Sequence, residues 1–341
     1  MNCSRRLLLF AISLSALLFA GQCFAESVVT TIPTPVPVGV DVNPLTRLVY
    51  VANFFAPTVS VISEKTNTIV DTISFPPAAD GGQAELGAVA VNPVTSRLYA
   101  SDPRARVVYV VDIRTKQILA TVPVCNAGDL SVNPRTNKIY VSEFFCNDVL
   151  ILDGSTSAIS KTIPVPFPLR AAVDFFANRI YIPDQNFNGQ VFVLDGASDA
   201  ILAQIPTGNF TTSVGVDFRR HLAYASNNGF SLATSSLSII DTNTNTVIGT
   251  MATDQGPSPV AVNPFTNRIY VATAFQSQNV VDIIDGDTRQ IIERLPIDPN
   301  PSDAAIDVAH KLLYVTSPNF SATTPGGNVV TVIDTKHKHK E

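Results

Sequence analysis

The sequence carries little charge for its length. Of 341 residues only 15% are Asp, Glu, Lys or Arg, the formal net charge is -5, and no basic stretch lies within the repeats described below. Proteins that bind nucleic acid usually show a basic patch or stripe, so a nucleic-acid partner is not expected. Apolar residues make up 45% of the chain. That fraction, together with the small net charge, excludes an intrinsically disordered protein.

Residues that commonly carry catalysis are also scarce. There is no tryptophan, and there are four histidines. His221 and His310 fall near a position of the repeats that is usually Arg or Lys, so we expect them at the surface; His337 and His339 belong to a lysine-rich terminal stretch, which we interpret as solvated. No histidine pair with metal-ligand spacing, no Gly-x-Ser-x-Gly and no haem-attachment motif occurs in the repeats. The sequence therefore predicts no catalytic residue, no metal site and no cofactor.

A long apolar run occurs only at the beginning of the chain. Two arginines precede an apolar stretch at 7–20, and the residues up to Ala25 form an acceptable cleavage site. This order is typical of a secretory signal, and the run is short for a membrane span. We predict a signal peptide at 1–25, one domain at 26–341, no membrane span after cleavage, and a periplasmic or secreted protein. Arg5-Arg6 keeps twin-arginine export open as an alternative to general secretion.

One eleven-residue pattern recurs along the rest of the chain. Clear copies are VNPLTRLVYVA from Val42, VNPRTNKIYVS from Val132 and VNPFTNRIYVA from Val262. Each of the seven copies contains a tyrosine, and successive tyrosines are 49, 41, 41, 43, 46 and 44 residues apart. A self-similar period in the forties is typical of propeller blades, so the sequence predicts an all-β, seven-bladed β-propeller. The tyrosines, which we interpret as structural, are Tyr50, Tyr99, Tyr140, Tyr181, Tyr224, Tyr270 and Tyr314.

Each repeat is interpreted as four strands, named a to d from the propeller axis outward. An Asn or Asp stands between strands a and b in every repeat, and strand c ends in Asp in six of the seven. Either set could be taken for a ring of ligand or calcium sites. Because Asn and Asp side chains bond the backbone two residues on, we interpret both sets as turn residues. The set between strands a and b is Asn43, Asn92, Asn133, Asp174, Asp217, Asn263 and Asp307.

The seventh repeat has no strand d of its own in the sequence. The segment SVVTTI at 27–32, followed by Pro33, has the pattern of a strand d. We therefore predict that the N-terminal strand completes the seventh blade and closes the ring, which leaves no incomplete blade.

Two cysteines remain once the signal is removed. Cys125 lies in the segment that enters the third repeat, and Cys146 lies in the b–c loop of that repeat, so both are expected on the same face. In an oxidising compartment two remaining thiols favour a disulfide. A pair of free thiols is the alternative.

The repeat also resembles that of a known family. The motifs YVAT at 270–273 and YVTS at 314–317, with the flanking N-P-x-T-N-[RK]-[IL]-Y-V and V-x-V-[IL]-D patterns, resemble the YVTN family of β-propeller repeat proteins. The resemblance covers essentially the whole chain after the signal, and it implies a seven-bladed propeller that is often exported. The lack of tryptophan makes the WD40 repeat a poor match. The family repeat carries no active site, so no catalytic residue is transferred.

The face formed by the b–c and d–a loops is the predicted location of a ligand site, because variable loops on a rigid scaffold are where binding is usually built. The third residue after each tyrosine is polar in all seven repeats. A loop-capping role explains a polar residue there, but it does not require Glu143. Arg104, Arg106 and Arg170 belong to the same sector and could neutralise its carboxylates in a salt-bridge network. The candidate ligand-binding residues are Asn53, Asp102, Arg104, Arg106, Glu143, Arg170, Asp184 and Asn227.

Phenylalanines stand on the same loops. They either pack down over the core or form an exposed apolar patch that marks a partner surface. These residues are Phe54, Phe55, Phe144, Phe145, Phe187, Phe230, Phe275 and Phe320.

Two functions of different classes remain open. The first is an extracytoplasmic binding or scaffold propeller, monomeric, whose partner is a protein, a peptide or a polar or zwitterionic small molecule. The second is a metal-assisted hydrolase or lactonase that uses the acidic sector near the mouth of the channel. Asp41 is charged where the other repeats have small residues nearest the axis, and it would belong to that second site.

Overall fold

Seven four-stranded antiparallel sheets make up the fold, one for each repeat of the sequence. The computed structural model describes residues 26–229, 234–275, 278–320 and 327–336. The predicted signal at 1–25, Phe230 and the two terminal histidines lie outside these ranges. Within them, no helix is long and apolar enough to cross a membrane. The predicted all-β, seven-bladed propeller is confirmed.

Blades 1 to 6 each take four consecutive strands, and blade 7 takes three strands and β1. Blade 1 consists of β2 (Pro37–Asn43), β3 (Leu48–Asn53), β4 (Thr58–Ser63) and β5 (Thr68–Ser74); blade 2 of β6 (Val89–Asn92), β7 (Arg97–Asp102), β8 (Val107–Asp112) and β9 (Ile118–Pro123); blade 3 of β10 (Leu130–Asn133), β11 (Lys138–Glu143), β12 (Asp148–Asp153) and β13 (Ile159–Pro164); blade 4 of β14 (Ala172–Asp174), β15 (Arg179–Asp184), β16 (Gln190–Asp195) and β17 (Ile201–Pro206); blade 5 of β18 (Thr211–Asp217), β19 (Leu222–Asn227), β20 (Ser236–Asp241) and β21 (Thr246–Ala252); blade 6 of β22 (Pro257–Asn263), β23 (Arg268–Phe275), β24 (Gln278–Asp285) and β25 (Gln290–Pro296); blade 7 of β26 (Asp303–Asp307), β27 (Leu312–Ser317), β28 (Val329–Asp334) and β1 (Ser27–Pro33).

The N-terminal strand closes the ring, as the sequence predicted. Strand β1 runs antiparallel to β28, with Ile32 opposite Val330. The register between them shifts between Val28 and Thr30, and the c–d pairs of blades 1 to 6 have a shift at the equivalent place, for example after Val61 in blade 1. Because β1 reproduces even this bulge, it is a full structural equivalent of strand d.

The turns follow the chemistry expected for Asn and Asp. In blade 1, Oδ1 of Asn43 accepts a hydrogen bond from the backbone N–H of Leu45 at 3.1 Å. In a c–d turn, Oδ1 of Asp153 accepts one from the N–H of Ser155 at 2.7 Å. Each a–b turn also places one residue in the left-handed region, such as His221 with a φ of 56°. The interpretation of these residues as turn residues rather than a ligand ring is confirmed.

The core lies between blades, and the seven repeat tyrosines form its largest buried side chains. Tyr50 of blade 1 packs in one cluster with Val89 and Leu98 of blade 2. At the closing seam, Tyr314 of blade 7 packs in the same way with Val49 of blade 1. Aromatic burial of this size dominates packing energetics, so the tyrosine layer holds each blade to the next around the whole ring.

Candidate functional site

The polar residues predicted at the b–c loops are buried at the ends of their strands. Each is at most 1% exposed, and each except Thr273 of blade 6 is the last residue of its strand b. Three of them accept backbone hydrogen bonds: Asp102 from Ala105 at 2.9 Å, Glu143 from Asn126 at 2.8 Å, and Asp184 from Asn186 at 3.0 Å. These bonds fix the loops, which is the capping arrangement weighed in the sequence analysis. Ligand binding by the carboxylates themselves stays a prediction.

The two predicted asparagines make the same kind of local contact. Asn53 donates from Nδ2 to Ser60 Oγ at 2.9 Å. Asn227 donates to Ser238 Oγ at 2.9 Å and accepts from Thr211 Oγ1 at 3.0 Å. Both side chains therefore cross-link strands b and c within their own blade, and their role in ligand binding also stays a prediction.

Burial shifts the protonation of two of these carboxyl groups. Removal from water raises the pKa of Glu143 to about 7, and the nearby Asp148 contributes in the same direction. Burial likewise raises the pKa of Asp184 to about 6. Oδ2 of Asp184 and Oδ2 of Asp102 have no hydrogen-bond partner among the described residues. A buried carboxylate without a cation favours its neutral form.

The predicted arginines do not neutralise those carboxylates. Arg104 pairs with Asp80 and Glu85, both at 2.9 Å, in the loop that enters blade 2. Arg106 is exposed and occupies the left-handed position of its b–c turn, with a φ of 56°. In the part of the chain that the structure describes, Arg104 and Arg106 therefore do not form the suggested salt-bridge network with the b–c loop carboxylates.

Arg170 has a different and more informative position. Its guanidinium bonds Oδ2 of Asp303 in blade 7, bonds the carbonyl of Val40 in blade 1 at 3.1 Å, and lies 3.8 Å from Oδ1 of Asp41. Arg170 itself enters blade 4. Blades 7 and 1 are each three places from blade 4 in a ring of seven, so this side chain spans the central channel.

Arg170 belongs to a column of equivalent positions that lies four residues before the a–b turn residue. Four members of the column are small or neutral, and three are charged. Sequence reasoning missed two of the charged members, although aligning the repeats at this position would have exposed them. The column is Gly39, Ala88, Asp129, Arg170, Ser213, Pro259 and Asp303.

Asp129 is the member of this column that faces both the channel charges and an open pocket. Burial raises its pKa to about 6, with Asp303 acting in the same direction and Arg170 against it. A pocket of about 280 Å³ on the loop face is lined by Asp129, Phe144, Phe145 and the backbone around Asn126. A pocket lined by one carboxylate and by aromatic rings suits a cationic group.

The loop that carries Asp129 is tied down at two points. Cys125 is disulfide-bonded to Cys146, with their Cα atoms 6.4 Å apart. Glu143 bonds the next backbone N–H, that of Asn126. Glu143 therefore positions the wall of the pocket, which gives this predicted site residue a structural role.

The loop phenylalanines combine the two arrangements considered for them. Phe145 is 77% exposed and packs edge-on against the half-buried Phe144, with ring centroids 5.1 Å apart. Phe55 and Phe320 are exposed in the same way above Phe54. In each cluster one ring covers the core and another faces solvent.

Behind the Arg170 bridge, a cavity of about 390 Å³ extends along the channel. Asp41, Arg170 and Asp303 form its charged wall, and the rest is mainly Ala and Val from strands a. Asp41 accepts from the N–H of Val91 at 2.7 Å, and burial raises its pKa. The Asp41 carboxylate is therefore held in the cavity wall by a hydrogen bond from the backbone of blade 2.

The opposite face, formed by the a–b turns, is not featureless. Phe176 stacks with Phe175 and with Phe218, both at 4.4 Å between ring centroids. Arg219 lies 5.0 Å from the ring centroid of Phe265 beside them. This second aromatic cluster offers apolar area without an adjacent unpaired carboxylate.

The acidic sector proposed for a hydrolase does not assemble as a metal site. Among the described residues, one group has His, Asp and Glu ligand atoms close enough to share a metal ion, and it consists of Glu64, Asp307 and His310. None of the b–c loop carboxylates belongs to it.

Comparison with known proteins supports the fold. No protein-family model matches the chain, and no curated protein matches it in sequence. Among solved structures, a chain of Kuenenia stuttgartiensis hydrazine synthase superposes with a TM-score of 0.74 at 17% identity, covering 89% of this chain and 97% of that one. The structure of U3-55K superposes with a TM-score of 0.74 at 10% identity, covering 91% of this chain and 100% of that one. At these identities the likeness establishes a seven-bladed β-propeller and carries no function across.

Proposed function

We propose that this chain is an exported binding or scaffold propeller of the YVTN type, and that it holds the cationic part of a polar or zwitterionic ligand on the face formed by the b–c and d–a loops. The N-terminal pattern at 1–25 and the Cys125–Cys146 bond support export, since disulfides persist in oxidising compartments. The repeat motifs support the YVTN assignment.

The observation that carries the proposal is the charge balance at the channel mouth. Three carboxylates, Asp41, Asp129 and Asp303, surround one guanidinium, that of Arg170. Asp41 and Asp303 share that guanidinium, whereas Asp129 faces the pocket beside Phe144. A further cation would therefore reduce the excess of negative charge at Asp129.

The pocket also has the size and the walls for such a group. A volume of about 280 Å³ lies near the lower end of the range for small-molecule sites. An ammonium or guanidinium group placed there would meet Asp129 at one side and the rings of Phe144 and Phe145 at the other. Ion pairing and cation–π attraction would then act on the same charge. A lysine or arginine side chain of a peptide fits this description.

The test is a binding panel measured by titration calorimetry. Lys-, Arg- and Glu-containing tripeptides and choline are titrated into the protein, into Asp129→Asn and into Asp287→Asn, which removes an exposed carboxylate from a c–d turn. We expect the cationic probes to bind the protein and Asp287→Asn, with binding reduced more than about tenfold by Asp129→Asn. Binding should also weaken below pH 6, because Asp129 becomes neutral there.

Two outcomes would overturn the proposal. One is equal binding by Asp129→Asn and Asp287→Asn. The other is loss of binding in Phe265→Ala, on the opposite face, while Asp129→Asn binds normally.

A further inference from the structure

A second cluster of chemically capable side chains lies at the seam where blade 7 meets blade 1. Asp307 and His310 belong to the a–b turn of blade 7, and Glu64 follows strand c of blade 1. One ligand atom from each residue lies within 4.8 Å of the other two. Nδ1 of His310 is 2.8 Å from Oδ2 of Asp307 and 3.5 Å from Oε2 of Glu64. Residues 243 positions apart in sequence are thus brought to one point by ring closure.

Turn chemistry explains Asp307, but it does not explain the other two residues. Asp307 is the turn residue of its repeat and accepts from the N–H of His310 at 2.9 Å. The position of Glu64 is occupied in the other blades by Ile113, Gly154, Gly196, Thr242, Gly286 and Thr335. The position of His310 is occupied by Thr46, Thr95, Thr136, Ala177, Arg220 and Thr266. Glu64 and His310 each occur once, and they occur at the same seam.

Glu64 is the least satisfied member of the cluster. Its side chain is fully buried, and its Oε1 has no hydrogen-bond partner among the described residues. The nearest fixed cation, Nε of Arg47, is 3.5 Å from the other carboxylate oxygen. The hydroxyl of Tyr314 lies beside Glu64 at the same seam. A buried carboxylate is costly unless it is paired or coordinates a metal, and Oε1 of Glu64 is free to bind a cation held between the three residues.

We propose that Glu64, Asp307 and His310 form a binding site for a divalent transition-metal ion, with Zn²⁺ as the best fit. One imidazole and two carboxylates are common zinc ligands, with metal–ligand distances of about 2.0–2.2 Å. Tetrahedral binding at those distances separates ligand atoms by about 3.4 Å. The pair formed by His310 and Glu64 already matches that spacing, and the pair formed by His310 and Asp307 needs to open by about 0.6 Å. The ion would join blade 7 to blade 1 and so cross-link the seam that closes the ring.

The test is zinc titration with matched variants. All proteins carry His337→Ala and His339→Ala, so that the histidines of the terminal stretch do not contribute. We expect one Zn²⁺ to bind per chain, with affinity lowered more than about tenfold by His310→Ala and by Glu64→Gln. The control His221→Ala changes an exposed histidine in the a–b turn of blade 5 and should leave the affinity unchanged. Arg47→Gln should raise the affinity, because it removes a competing positive charge.

A second readout separates coordination from a structural effect of the substitutions. Zn²⁺ at a concentration that fills the site of the protein but not the weakened site of Glu64→Gln should raise the melting temperature of the protein and of His221→Ala but not that of Glu64→Gln. Co²⁺ should give a d–d absorption spectrum that Glu64→Gln alters. The proposal is overturned if zinc binds with equal affinity to the protein and to His310→Ala, if no stoichiometric zinc binds, or if the melting shift persists in Glu64→Gln.

Discussion

The layer between the blades and the wall of the channel both receive one residue from every repeat, yet they differ completely in composition. The layer between blades has tyrosine in all seven repeats, each at most 1% exposed. The channel-wall column has Gly, Ala, Ser and Pro in four repeats and charged residues in three. Positions that repeat report on packing, and positions that depart from the repeat are where we propose the ligand site.

The two regions differ in composition because they offer their residues different numbers of distinct environments. A tyrosine between two blades meets nearly the same neighbours at every seam, so one residue type is the best solution seven times. The channel has a single axis, and the residues around it meet each other directly. One long side chain such as Arg170 can therefore cross it and pair with Asp303, 133 residues away, but seven such side chains would not fit.

The largest effect should come from removing β1. Deletion of residues 26–33 takes away the outer strand of blade 7, exposes the edge of β28 and removes the buried Ile32. We expect the melting temperature to fall by about 10 °C or more. Differential scanning calorimetry measures this, and an unchanged midpoint would show that ring closure contributes little.

The next largest effect should come from replacing a tyrosine of the layer between blades. Tyr140→Ala should lower the free energy of unfolding by about 3–5 kcal/mol, because it leaves a cavity between blades 3 and 4. Tyr140→Phe is the matched control and should cost about 1 kcal/mol or less, since it keeps the ring in place and loses at most the contact of the hydroxyl with Asn133. Urea unfolding compares the two. Equal losses of stability in Tyr140→Ala and Tyr140→Phe would show that packing of the ring does not hold the blades together, and the contrast drawn between this layer and the channel wall would then fail.

Opening the disulfide should have a smaller effect. Cys125 and Cys146 are 21 residues apart in sequence, and a closed loop of that length stabilises by about 3 kcal/mol in the chain-entropy model. We expect the double change to Ser to lower stability by up to that amount and to weaken binding at the Asp129 pocket. Free thiols in the unreduced protein, detected by alkylation and mass spectrometry, would contradict the bonded pair.

Arg170 tests the channel wall directly. Arg170→Gln leaves Asp41 and Asp303 without their shared cation and should cost about 2 kcal/mol at pH 8. The pKa of Asp41 is already raised by burial, so loss of Arg170 should raise it further, and the cost should be smaller at pH 5 than at pH 8, because a raised pKa makes Asp41 easier to protonate as the pH falls. Urea unfolding at the two pH values measures the difference. A cost independent of pH would mean that the guanidinium acts only through packing.

Glu143 should give the smallest effect, and its sign is fixed by its shifted pKa. The folded pKa is about 7, above the ordinary value of 4.5, so the stabilisation is present below pH 4.5 and is lost as the pH rises through 7. Glu143→Gln keeps an acceptor for the N–H of Asn126 without the charge. We expect it to be more stable than the protein by about 1 kcal/mol at pH 8 and equal to it at pH 4.5. A lower stability at pH 8 would show that the ionised form is needed.

The repeat made the architecture predictable, because the evidence for it is local. Strand positions, turn residues and the closing role of 27–33 all follow from comparing short windows with each other. The candidate site was predictable only in part. Arg170 was singled out from the sequence, but Asp129 and Asp303 stand just before and at the start of their strands without any motif, and their proximity exists only once the ring is closed. Asp102 and Asp184 illustrate the converse: the loop-capping role considered for their position in the sequence analysis is visible in the bond that each accepts from a loop N–H.

The most direct test of the central claim, that departures from the repeat build the ligand site, is a crystal structure with a lysine-containing tripeptide. The account predicts the ammonium group within about 3.2 Å of the Asp129 carboxylate, between Phe144 and the channel mouth. A peptide seated instead on the Phe175–Phe176 cluster of the opposite face would contradict it.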